Sequence, residues 1–97
     1  MKNFRTYQSA KEFYKAAEGL KMKGCIKNQF DRALLSIVLN LSEGSAKPSS
    51  KDRRRFYYIA LGSLREVQTI LDLIGHQRLI LQADRLGAHL YRLCHSC

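Results

Sequence analysis

FDRALLSIVLNLSEG, residues 30–44, decides the fold. At about 100° per residue, Phe30, Ala33, Leu34, Ile37 and Leu41 share one face of a helix, and Leu35 and Leu39 carry apolar surface beyond it. Arg32, Ser36, Asn40 and Glu43 draw a polar stripe along the remaining sector. A helix apolar over so much of its circumference must be covered by more than one neighbour. The stripe then meets solvent at a groove or complementary groups on another helix. Such groups are expected in the next segment, where Arg55, Ile59, Gly62 and Glu66 repeat the spacing. Gly44 is expected to end the helix in the left-handed conformation.

Working outward, Tyr7, Ala10, Phe13, Tyr14 and Ala17 recur at helical spacing, with Lys11, Lys15 and Glu18 outside them, so a first helix is expected over 7–21. A basic connector around Gly24 leads to Phe30, which opens the second helix. Residues 45–50 hold the only proline, Pro48, and read as a tight turn. Ser49 followed by Asp52 has the spacing of a capping box, and a third helix follows over 50–74. Its core face reads as Phe56, Ile59, Ala60, Ser63, Val67, Ile70, Leu71 and Ile74, nearly a heptad seam. Gly75-His76 marks another turn, and Leu79, Ala83, Leu86, Leu90 and Leu93 line a fourth helix. No alternation of β type is long enough to matter. The expected fold is all-α: one domain over 1–97, an antiparallel up-and-down four-helix bundle. Tyr57, Leu61 and Leu64 form a second apolar stripe on the third helix. With Leu35 and Leu39 they exceed what one bundle covers, so these five are expected at the interface of a closed homo-oligomer.

Seventeen Lys and Arg stand against eight Asp and Glu, a formal net charge of +9. Such a balance favours polyanionic partners whatever the fold. The first twenty residues interleave charges with apolar positions and lack a signal-type apolar run, so a cytoplasmic location is expected. No apolar run reaches the roughly 18 residues of a membrane span. Three cysteines, an odd number, argue against a disulfide scaffold.

Lys47, Lys51, Arg53, Arg54 and Arg55 crowd the start of the third helix, where the helix dipole is already positive. Basic side chains beside free helix amides make an anion site, and these five are the candidate nucleic-acid contacts. The alternative is a solvated basic turn. Tyr57 and Tyr58 offer base stacking beside that charge, with burial of Tyr57 in an interface as the alternative. Folding back about the turn brings Glu43 level with Arg55 and Arg32 level with Glu66, and both are expected as structural ion pairs rather than catalytic groups. Glu43 and Glu66 then stand several helical turns apart, too far for acid and base work on one small substrate. No phosphate-binding glycine loop, Ser-His-Asp set or His-Glu-x-x-His helix occurs, and no catalytic residue, cofactor or metal is expected. Cys94 and Cys97 have CxxC spacing, with His89 one helix face away. At a helix C-terminus the dipole disfavours thiolates, which leaves a small metal or redox protein as the weakest reading.

Gln29, Arg32-Ala33, Ser36-Ile37, Asn40, Glu43-Gly44, Ser49, Asp52, Arg55-Phe56, Ala60, Gly62-Ser63 and Glu66 together resemble the bacterial four-helix-bundle proteins encoded in intervening sequences of large-subunit ribosomal RNA genes. More distantly, that group is similar to the accessory variability determinant of diversity-generating retroelements. The resemblance departs at Val38, where a proline is usual, and in a short linker before Gln29. It implies a non-enzymatic basic scaffold, a homopentamer, that binds RNA or DNA or a nucleic-acid-processing partner such as a reverse transcriptase. The competing expectation is a structural protein-protein module that binds no nucleic acid.

Overall fold

The computed structural model describes residues 4–96, which hold four helices: α1 (Phe4–Ala17), α2 (Gly24–Ser45), α3 (Ser50–Ile74) and α4 (Gln77–His95). No strand occurs among the described residues. α1 lies beside α2 and α4, α3 lies beside the same two, and the backbones of the diagonal pairs stay apart among the described residues. The chain thus closes a ring of four helices about one shared core.

α1 ends at Ala17, short of the expected residue 21, because the chain turns there: the Leu20 amide donates to the Ala17 carbonyl at 3.1 Å. Leu20 and Met22 then fold back onto the core. α2 begins six residues before Phe30. Lys27 secures this extra turn and a half, donating to the Glu18 carbonyl at 2.7 Å and pairing with Asp31 at 3.0 Å. An i,i+4 pair of this kind adds only a few tenths of a kcal/mol. Ile26 and Phe30, one turn apart, carry the apolar face back towards Gly24 and do the rest.

The helix ends show which glycine terminates what. Gly44 lies within α2, and the left-handed residue is Gly75, which closes α3 at φ 74° and donates to the Leu71 carbonyl at 2.9 Å. Gly44 serves packing instead: a methyl group there would stand 2.8 Å from the Tyr57 ring and 3.0 Å from Phe56 Cβ. Ser49 caps α3 as its spacing implies, accepting from the Asp52 amide at 3.1 Å. His76 caps α4 through Nδ1, which accepts from the Leu79 amide at 3.3 Å.

The core comprises Ala10, Phe13 and Ala17 of α1, Phe30, Ala33, Leu34, Ile37 and Leu41 of α2, Tyr57, Ala60, Leu64, Val67 and Leu71 of α3, and Leu79, Ala83, Leu86, Leu90 and Cys94 of α4. On α3 this corrects the expected face. Tyr57 and Leu64, expected at a subunit interface, are 3% and 0% exposed inside the protomer, whereas Ile59 and Ile74, expected in the core, are 45% and 39% exposed. Two apolar stripes compete on this helix. The winning one, 57-60-64-67-71, is wholly apolar apart from the Tyr57 hydroxyl, while the other carries Ser63 at its middle and would bury a hydroxyl. Gly44 opens the space that Tyr57 fills.

Candidate nucleic-acid interface

The five cations of the basic turn divide into distinct roles. Arg53 is a clamp. Its guanidinium donates to the Lys47 carbonyl at 3.0 Å, the Pro48 carbonyl at 2.9 Å and Ser50 Oγ at 3.1 Å, satisfying carbonyls that the helix-to-helix turn leaves unpaired. Lys47 pairs with Glu43 at 3.2 Å and lies 5.2 Å from the centre of the Phe56 ring. Arg55 covers the same ring at 4.7 Å. Lys51 and Arg54 have no hydrogen bond or ion pair among the described residues, and both reach solvent. The sequence groups the five cations, and the structure leaves these two without a polar protein partner among the described residues. Removing the clamp by Arg53→Ala should cost about 1 kcal/mol in urea unfolding, since charge-assisted bonds at a partly solvated site keep only part of their worth. Unfolding unchanged by the substitution would show that the clamp carries no load.

The two expected cross-helix ion pairs do not form. Glu43 takes Lys47, its neighbour one turn on, in place of Arg55, and Arg32 and Glu66 both stand exposed without an ion-pair partner among the described residues. Charges free to reach water gain little from pairing. What holds the polar stripe is a hydroxyl node. Ser36 Oγ and Ser63 Oγ lie 2.7 Å apart, and Asn40 Nδ2 donates to Ser36 Oγ at 3.0 Å and to the Ser36 carbonyl at 2.9 Å. Ser63 is therefore the partner of the stripe; Arg55, Ile59, Gly62 and Glu66 face outward. Its signal in the sequence was that it is the one polar residue in the expected core face of α3.

Exposed large apolar side chains stand on the outer sides of both α2 and α3. Leu35 and Leu39 are 44% and 56% exposed on α2, and Ile59, Leu73 and Ile74 stand out on α3. Leu61 is half-buried against the core.

At the other end of the sequence, Cys94 is buried, and that burial pushes its thiol pKa up. A thiol held protonated is a poor metal ligand or nucleophile. Cys97 lies outside the described residues. His95 stacks on Tyr91, ring centres 4.0 Å apart, and meets Tyr58 edge-on at 5.9 Å. His89 lies in a groove between α1 and α4 with Ser9, Glu12 and Arg85. Among the described residues no three His, Cys, Asp or Glu side chains cluster as a metal site, and no helix is long and apolar enough to cross a membrane.

A basic four-helix protein with a cation-rich helix start and a polar node between its two longest helices is thereby defined. Residues 3–95 match the family model described as 23S rRNA-intervening sequence protein, and the chain belongs to that family. Comparisons with curated proteins and with solved structures found no match.

Proposed function

We propose that this chain is a non-enzymatic, cytoplasmic scaffold that binds RNA or DNA through the start of α3. The observation that carries the reading is the pair Lys51 and Arg54, which reach solvent at a positively polarised helix end without a protein partner among the described residues, in a chain of net charge +9. Membership of an rRNA-intervening sequence family supports a ribosomal RNA context. The helices form an antiparallel up-and-down bundle. Supporting this, residue 44 packs on 57 while 36 bonds to 63, so numbering falls along α3 as it rises along α2.

Copies of the bundle associate through the outer face of α2 and α3, burying Leu35, Leu39, Ile59 and Ile74. The pentamer that the family resemblance implies repeats the Lys51 and Arg54 pair around a ring, where weak sites act together. A nucleic-acid-processing enzyme such as a reverse transcriptase is the protein partner that the same resemblance implies.

Counterion release predicts affinity for duplex DNA falling with salt at a slope of about −0.9 per phosphate neutralised. Lys51→Glu with Arg54→Glu should weaken RNA and DNA binding at least tenfold, since each lost phosphate contact is replaced by repulsion, and should leave helicity and subunit number unchanged. Binding indifferent to this double substitution or to salt would reject the reading in favour of a protein-only module. Sedimentation at micromolar concentration gives the subunit number, and a monomer would reject the ring.

A further inference from the structure

The tyrosines of the α3–α4 seam lie outside both the core and the outer α2–α3 face. Along α3, Lys51, Arg54, Tyr58 and Arg65 fall within about 60° of one another at helical spacing. Tyr58 is 48% exposed and Tyr91, across the seam on α4, is 52% exposed. His95 joins the two, stacked on Tyr91 and edge-on to Tyr58, and its Nδ1 lies 2.8 Å from the Tyr91 carbonyl, which fixes the ring. The rings continue into a groove of about 420 Å³ flanked by Arg65, Tyr91 and Arg92. Gly87 keeps that groove open, because a methyl group there would come within 3.3 Å of the Arg65 guanidinium. Asp84, which accepts from Gln68 Nε2 at 3.0 Å, also lines it.

Resting on the nucleic-acid reading above, we infer that this seam selects unpaired nucleotides, with bases stacking on Tyr58, Tyr91 and His95 while Lys51, Arg54, Arg65 and Arg92 line the phosphate path. A duplex presents phosphates and base edges, with its base faces already stacked, and gains nothing from exposed rings. A single strand offers both partners at once. Arg65 and Arg92 outnumber Asp84, the one carboxylate among the described residues lining the groove, and Lys51 and Arg54 extend the positive charge along α3. From Lys51 to Arg65 the helix rises about 21 Å at ~1.5 Å per residue, room for several nucleotides. RNA and DNA share this chemistry, and the assay separates them.

Oligonucleotides of about 12 nucleotides, within the ~4–16 range of single-strand sites, are titrated as single-stranded RNA, single-stranded DNA and duplex of one sequence. The chain has no Trp and five Tyr, so the change in tyrosine fluorescence that is lost in the leucine variants below reports stacking at the seam. Quenching is expected with single strands and not with duplex, and the tighter of RNA and DNA names the source. Tyr58→Leu with Tyr91→Leu should weaken single-strand binding about 5- to 150-fold per ring and abolish quenching while duplex affinity holds. Tyr58→Phe with Tyr91→Phe should retain single-strand affinity. Equal affinity for single strand and duplex, or leucine variants that bind single strands as the parent does, would overturn the seam while leaving the basic-turn reading intact. A parent protein that binds no nucleic acid would overturn both.

Discussion

Leu64→Ala should lower the unfolding free energy by about 2–5 kcal/mol, the range for deleting a fully buried leucine that leaves a cavity. Leu64 is 0% exposed between its helix neighbours, so the surroundings have little freedom to collapse. In a domain of 97 residues, each kcal/mol shifts the melting midpoint by about 4–8 °C, and the loss is readable in a thermal scan. Because the residue belongs to the protomer core, the loss should be the same at every protein concentration. A deficit that grows on dilution would return Leu64 to the subunit interface. Leu39→Ala is the control: at 56% exposed it should change protomer stability by less than about 0.5 kcal/mol.

The glycines of α2 and α3 should respond to alanine with opposite signs. At Gly44 the new methyl meets Tyr57 and the Cβ of Phe56, both held by helix backbone. Overpacking of this kind costs about 1–3 kcal/mol, only part of which is offset by the better helix propensity of alanine. Gly62 stands exposed in mid-helix with nothing within 4 Å of an added methyl, so Gly62→Ala should raise protomer stability by roughly 0.5–1 kcal/mol. Urea midpoints of the two variants, measured side by side, check the pair. A stabilised Gly44→Ala would show that the two helices separate easily.

The helix count, the extent of α3 and the Ser49 cap were legible from the sequence because each depends on local spacing. α3 spans 50–74, as its pattern implies. Which stripe of α3 turned inward was less legible. The apolar residues of both stripes suffice for a core, and the choice rests on a distant glycine, Gly44, that admits the Tyr57 ring. Ion pairs read from level positions on adjacent helices failed for a related reason. Level is not facing, and the long side chains of Arg32 and Glu66 point to water. The basic turn was visible as a cluster, yet only geometry separates Arg53, bound to three oxygens of its own turn, from Lys51 and Arg54. The seam of Tyr58, Tyr91 and His95 joins residues more than 30 positions apart, which a reading limited to local periodicity does not bring together.

The hydroxyl node of Ser36, Asn40 and Ser63 acts on the α2–α3 hairpin as a locating pin does between machined plates. A slide of one helical turn, about 5.4 Å, would draw the Tyr57 ring away from the space at Gly44 and set unlike apolar side chains against one another. The same slide would strand half-buried hydroxyls without partners. Alignment is thus encoded by the hydroxyl node together with the Gly44–Tyr57 contact, and while both stand every surface site keeps its address.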